Sequence, residues 1–450
     1  MHRIQPPHPA TLLGLLTLLL VLLTWIAEAY GLQTLHPSTH EPVVVQSVLN
    51  AEGMRWLLRH AVSNLYDYSS LGQVLLGLFT LGLAYHSGLV DALTGTARLH
   101  RLGQRSLVAL VILLGASSHL LGDVGYLLLL PLSATLYRNA GLSPGAGVLT
   151  SWIAIGCTSM HYNLFLFVTG LLLLPLLYML SIRLLLPFPS QAPSPVDVPP
   201  ASSLTRRERR AWTTALTAGA LYVGLLLWAT YALSDLFLGV DGSLTRSPLM
   251  EGIVPVVCLG LAWMSGVYGL VSGRYRSDAQ LMEGLVSYFP LLRDYFLLLL
   301  CCAQFSALFT YSNLGAYLAI EGARWLSALP LPTPMMLLLF ILFIALVNLL
   351  IVPTEVKWPL LSPMFLPLFQ TYHISTEATL SAFSIGDTTT NLLSPFLLYL
   401  PFALAILRHY HPQAPYTTLL SYSWRISTFL LIAWMLLYML WSALEWPFTL

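Results

Sequence analysis

Apolar runs fill most of the chain, and the polar residues that interrupt them give it its character. Six runs approach the ~20 residues that a helix needs to cross the ~30 Å hydrocarbon core of a bilayer. They lie at 10–30, 69–93, 163–186, 212–238, 252–271 and 421–446. Further apolar stretches at 106–137, 145–162, 285–320, 334–372 and 377–408 are broken by polar residues, glycine or proline. The plainest break is SSHLLGDVGYLLLLP at 117–131. A charge at the bilayer centre costs roughly 2.5–3.5 kcal/mol on insertion scales. Unwound backbone at that depth survives only where it is buried in protein or lines a watery cavity. The pattern predicts an all-α polytopic membrane protein whose polar groups gather at helix breaks.

Charge orders these runs. The first follows MHRIQPPHPA, is long enough to span and has no Ala-x-Ala-like site after it. It reads as a transmembrane helix with its basic end in the cytoplasm, not as a signal peptide. A polar stretch, 31–66, contains the amphipathic piece SVLNAEGMRWLLRHAVSNL. The arginines of TARLHRLGQR, of PFPSQAPSPVDVPPASSLTRRERR and of SGRYRSDAQ can all face the cytoplasm if 106–137 and 334–372 enter and leave on one side. The count is then about nine transmembrane helices plus two re-entrant hairpins, N-terminus in and C-terminus out. Scaffold helices occupy 1–97 and 212–284, and 187–211 is a cytoplasmic Pro/Ser/Arg linker. A first repeat, 98–186, holds hairpin 106–137 and a broken helix; a second, 285–450, holds hairpin 334–372, a broken helix and the last span. The stretch 145–186 reads equally as two spans or one broken span.

An internal repeat supports that division. DVGYLLLLPLSATLYRNAGLSP aligns with EVKWPLLSPMFLPLFQTYHIST at a constant offset of 232 residues. Asp123 falls on Glu355, Tyr126 on Trp358, Pro131 on Pro363 and Ser143 on Ser375. Each unit is followed by another broken segment, IGCTSMHYN in the first half and IGDTTTN in the second. Paired breaks of this kind point to a secondary transporter with inverted-topology repeats and a site near the bilayer midplane. A kinked bundle with a few buried polar contacts is the plainer alternative.

Composition mainly excludes. Hydrophobic residues make up 57% of the chain and charged residues 9%, against about 25% charged in soluble domains. A formal net charge of +1 offers nothing for nucleic acid. Cys157, Cys258, Cys301 and Cys302 all lie in apolar segments and read as buried reduced thiols. No metal motif, Gly-x-Ser-x-Gly or phosphate loop falls in an apolar span. An intramembrane enzyme is therefore disfavoured, and no cofactor is expected. The partners implied are a small-molecule substrate and the lipid bilayer. A passive channel of the same fold remains open, although a continuous polar stripe is missing.

The breaks supply candidate chemistry. A carboxyl in a low-dielectric pocket is drawn toward its neutral form, so Asp123 can take up a proton on one face and release it on the other. Its plainer role is to cap the hairpin's second helix. Ser117 and Ser118 can satisfy opened backbone, and His119 stands four residues before Asp123 as a local polar partner. Lys357 can pair with Glu355 across an extended turn, or bind an anionic substrate group. Trp358 offers a flat face to an aromatic ring or cation. Asp387, Thr388, Thr389, Thr390 and Asn391 form an oxygen-rich cluster, a set that sodium, a hard cation, would use, with Asp387 and Asn391 as its named ligands. Their repeat counterparts are Thr158, Ser159 and Asn163, with His161 nearby. Asn313 in YSNLG is a similar break residue, and Arg293–Asp294 lies near a span end.

These segments together resemble the aminobenzoyl-glutamate transporter family. The resemblance starts at PHPATL and VLNAEGMRWLL, runs through SSHLLGDVGYLLLLPLSATLYRNAGLSPGAG and AQFSALFTYSNLGAYLAIEGA, and ends with VKWPLLSPMFLPLF and IGDTTTNLLSP. It implies nine transmembrane helices and two re-entrant hairpins per subunit, a homodimer in the bacterial inner membrane, and gradient-driven transport of p-aminobenzoyl-glutamate or sulfonamide antimetabolites. The coupling ion would be a proton or sodium. It also implies that Asp123 and Trp358 matter for transport. The chain departs from the family pattern at Gly122, at Glu355, at Thr376 and at Ser384, where the family carries an arginine. A guanidinium is a bidentate clamp for carboxylates, so the change at Ser384 bears on the substrate.

Overall fold

The computed structural model describes residues 7–37, 39–68, 70–96, 103–158, 163–189, 204–239, 241–244 and 247–449. The chain starts with helix α1 (Pro9–Ala29), with a proline in its first turn and His8 accepting from the Ala10 amide as cap. The polar stretch after it is more ordered than its sequence suggested. Strands β1 (Gln33–Leu35) and β2 (Pro42–Val44) pair antiparallel, with Gln33 opposite Val44. Three-residue strands show too little alternation to be read from hydropathy. Thr34 ties this hairpin down through Glu321 at 2.8 Å and Arg324 at 3.1 Å. The amphipathic piece forms α2 (Ala51–His60), capped by Asn50.

Helices α3 (Ser70–His86) and α4 (Leu89–Thr96) follow, then α5 (Gln104–Ser117), α6 (Val124–Asn139), α7 (Pro144–Gly156) and α8 (Leu164–Leu184). Two helices cover most of 145–186, the first ending at Gly156 and the second starting at Leu164. All of α7 is buried, whereas α8 is span-long. Helix α9 (Arg206–Ala232) begins six residues earlier than hydropathy placed it. The cause is a capping box, in which Thr205 and Glu208 satisfy each other's backbone amides. The arginines of 206–210 thus ride the first turns of the helix instead of a linker.

Next come α10 (Ile253–Ser272), α11 (Asp278–Val286), α12 (Arg293–Tyr311) and α13 (Leu314–Ala328). The chain closes with α14 (Thr333–Asn348), α15 (Thr354–Thr371), α16 (Thr376–Thr390), α17 (Leu400–Tyr410) and α18 (Tyr416–Ala443). Among the described residues, six stretches are long and apolar enough to cross a bilayer, or seven if the pair bent by 64° at 87–88 is one span. Outward-facing Leu221, Trp228 and Tyr231 on α9 are 62–80% exposed, as lipid-facing positions would be. The molecule is an all-α polytopic membrane protein.

Helix, tip, helix, helix, break, helix occurs twice. The order α5–α6–α7–α8 is matched by α14–α15–α16–α17. Pro131 and Pro363 each lie inside the second helix of their unit, and Ser143 and Ser375 each stand at the cap of the third. Lipid offers no hydrophobic drive for helix pairing, so close contact of small residues has to supply it. Gly386 on α16 shows this: a Cβ there would come within 2.5 Å of the Ile341 carbonyl oxygen and 2.9 Å of the Ile344 Cβ on α14.

Candidate functional site

The second unit concentrates its polarity behind its tip. Helix α14 stops at Asn348, and α15 starts after Pro353, whose fixed φ suits a helix entry. Residues 354–371 are helical, so the extended turn that would set Glu355 and Lys357 on one side is not formed. Lys357 is wholly buried and reaches α16, where its Nζ meets Asp387 Oδ1. The same ammonium donates to the Asn348 Oδ1. Thr354 Oγ1 donates to the other Asp387 oxygen at 2.8 Å. Asn348 Nδ2 reaches Asn391 Oδ1 at 2.9 Å, Thr390 Oγ1 at 3.1 Å and the Asp387 carbonyl. A buried ion pair persists only when its remaining lone pairs and protons find partners. Asn348 and Thr354 supply them here, and only the lone asparagine of FIALVNLLIVP hinted at this in the sequence.

The oxygen-rich cluster of 387–391 is therefore not an unwound point. Helix α16 continues to Thr390, and a 3-10 turn carries Asn391. Thr389 and Thr390 donate to their own helix at Ile385 and Gly386 carbonyls, 2.6 and 2.7 Å away. Ser384 and Thr388 are buried on the same helix. Among the described residues no group of three or more His, Cys, Asp or Glu gathers as metal ligands. Trp358 packs on Phe383 of α16, with ring centroids 4.9 Å apart.

The first tip is built differently. Gly122 turns the chain at φ +50°, a conformation that side chains disfavour. Ser117 and Ser118 donate to the carbonyls of Leu114 and Gly115, closing the end of α5. Asp123 occupies the cap position of α6, but its backbone is helical and its side chain makes no capping bond. Its carboxyl faces Tyr399, with Tyr295 beside it. Tyr399 in turn stacks on Tyr126, centroids 4.9 Å apart and planes within 4°, and Trp152 lies 5.5 Å from Tyr126. Tyr399 comes from the break of the second unit and Tyr295 from α12, so neither could be linked to Asp123 by sequence spacing.

The other candidates are placed apart. Asn163 caps α8 by accepting from Phe165 at 2.9 Å, and donates to the Glu377 carbonyl of the second unit at 3.3 Å. Thr158 Oγ1 donates to the Ala154 carbonyl at 2.6 Å. Asn313 is left-handed at φ +55° between α12 and α13, and its amide donates to Val44 of the β-hairpin at 3.2 Å. Arg293 and Asp294 pair with each other at 3.1 Å on the surface. The four cysteines are unpaired thiols, with Cys301 half-buried and the rest buried. Ser159, His161 and the side chains of His119 and Glu355 lie outside the described residues.

An all-helical membrane protein with polar groups assembled at paired breaks is of the transporter class, and comparison with known proteins makes this specific. The chain belongs to the AbgT transporter family, whose model matches residues 4–181 and 187–450. It is 24% identical over 481 aligned positions to the p-aminobenzoyl-glutamate transport protein of Escherichia coli K12, covering 98% of this chain and 93% of that one. Its fold matches the crystal structure of the YdaH transporter of Alcanivorax borkumensis with a TM-score of 0.66 at 30% identity, covering 99% of this chain and 100% of that one. It also matches Neisseria gonorrhoeae MtrF, described with a class of antimetabolite efflux pumps, with a TM-score of 0.61 at 24% identity. That match covers 97% of this chain and 95% of MtrF, and extends the likeness of fold alone.

Proposed function

We propose that this chain is a gradient-coupled secondary transporter of small aromatic, carboxylated molecules, with Asp123 carrying the coupling proton. The observation that carries this reading is the contrast between two acids, the half-buried Asp123 and the buried Asp387. Asp387 is held by Lys357 and Thr354, whereas Asp123 faces the phenols of Tyr399 and Tyr295. An acid beside neutral donors can change charge during a cycle without leaving a buried counter-charge unpaired, whereas loss of charge at Asp387 would strand the buried Lys357 ammonium. At 14 and 16 residues, α5 and α14 are short for a crossing, which supports re-entrant hairpins at both tips. The two units then move by alternating access in an inner membrane, N-terminus in the cytoplasm, within a homodimer. p-Aminobenzoyl-glutamate, the compound in the E. coli relative's name, and sulfonamides are the first substrates to try. Ser384, where the family has an arginine, removes one carboxylate clamp and favours a substrate with fewer acidic groups.

Flux of p-aminobenzoyl-glutamate and of a sulfonamide into proteoliposomes, under imposed proton or sodium gradients, tests this. Wild-type flux should follow the proton gradient, and Asp123→Asn should lose that dependence. Flux that ignores both gradients would make the protein a passive channel. Flux that follows sodium alone would return the coupling role to the Asp387 cluster. Ser384→Arg should raise the preference for p-aminobenzoyl-glutamate over a monoanionic aromatic acid.

A further inference from the structure

Three tyrosines from three parts of the fold converge on Asp123. Tyr126 lies one turn along α6, Tyr295 opens α12, and Tyr399 precedes α17. The Tyr295 and Tyr399 rings sit 5.7 Å apart, and both side chains are buried. Buried phenols ordinarily satisfy their hydroxyls. These two close no hydrogen bond of ordinary geometry, yet the Tyr399 hydroxyl lies between the Asp123 carboxyl and the Tyr295 hydroxyl as its nearest polar neighbours. Phenylalanine would fill the same space without leaving buried hydroxyls short of partners, so the oxygens need a purpose beyond packing.

We infer that Tyr399 is a positioning residue for Asp123, which holds the tip of the first unit to the break of the second and carries its protonation state across that contact. With Asp123 ionised, the Tyr399 hydroxyl donates to the carboxylate. When Asp123 gains a proton from the aqueous side, its own O–H donates to the phenolic oxygen, and the Tyr399 hydrogen turns to the Tyr295 oxygen. One proton is gained as a new O–H on Asp123, no other covalent bond forms or breaks, and the hydrogen bond between Asp123 and Tyr399 reverses its donor and acceptor. The other titratable groups around this contact are Tyr126 on the same helix, Cys157 after α7, Cys302 on α12 and Cys258 on α10, which packs on Val124. His119 precedes Asp123, with a side chain outside the described residues. The inference rests on Asp123 being the proton carrier proposed above.

Tyr399→Phe keeps the ring that stacks on Tyr126 and removes only the hydroxyl. A bond to a carboxylate is about twice as strong as one between neutral groups, so its loss favours the protonated acid. Infrared difference titration of the full-length protein in nanodiscs would follow the Asp123 carboxyl band, assigned by its absence in Asp123→Asn. The midpoint in Tyr399→Phe is expected to rise by about 0.5–1 pH unit, a three- to tenfold gain in proton affinity. The pH profile of proteoliposome flux should move with it. In Asp123→Asn/Tyr399→Phe, the second change should add nothing to the first. An unmoved midpoint with normal folding, or additive effects in the double variant, overturns the role of Tyr399 while leaving Asp123 as carrier. If no band is lost in Asp123→Asn, or if Asp123→Asn keeps proton-driven flux, the carrier assignment itself falls and takes this inference with it.

Discussion

The two hairpin tips share a backbone plan and an offset of 232 residues, yet they hold opposite chemistry. Behind the second tip a wholly buried lysine is locked to Asp387 of its own unit, with Asn348 and Thr354 completing the shell. At the first tip an acid faces phenols supplied by the other unit and by α12. One contact is internal, charged on both sides and rigid. The other crosses between units and sets an acid against phenols. A repeat thus keeps where the breaks fall, while single residues decide which groups meet there.

The comparison is broken most severely at the second tip. Asp387→Asn leaves the Lys357 charge buried without its counter-charge and is expected to destabilise by about 3–5 kcal/mol, read as a large fall in the thermal unfolding midpoint in detergent. Lys357→Met combined with Asp387→Leu should recover most of that stability, because a hydrophobic replacement of a buried pair is often neutral or better. Next in size, Gly386→Ala drives a methyl group into the Ile341 carbonyl and should cost about 1–3 kcal/mol, with α14 and α16 exchanging amide hydrogens faster. Asp123→Asn sharpens the contrast from the other side. It should change stability by roughly 1 kcal/mol or less while removing the proton dependence of flux.

The smallest effect concerns His411, between α17 and α18. Its Nε2 is buried without a partner and its ring packs edge-on against Phe188 at 4.8 Å. Burial lowers its proton affinity below the ordinary histidine value. The unfolded chain therefore binds the proton more readily, so this contribution is present above the ordinary value near pH 6.5 and is lost as pH falls through the depressed one. Unfolding midpoints measured from pH 7 to pH 5 should decline modestly, and His411→Phe should flatten part of that decline.

Much of this was legible before any coordinates. Apolar length and arginine placement marked α1, α8 and α10 closely, because lipid forces each crossing to declare itself as a long apolar helix. Breaks at 118–123 and 349–353 announced themselves through glycine, proline and charge. The β-hairpin at 33–44 did not, being too short for a pattern. The early start of α9 was hidden because capping, not hydropathy, sets it.

The amino-acid sequence by itself determined the class of protein, the repeat and the residues rich in chemistry, since each is a property of local pattern. Tertiary structure alone decided the long-range partners: Lys357 with Asp387, and Asp123 with Tyr399 from 276 positions away. The physical reason is that a buried charge takes whichever group the packed helices bring to it. Helical winding over 354–371 turned Lys357 toward α16, and the break before α17 brought a phenol to the first tip.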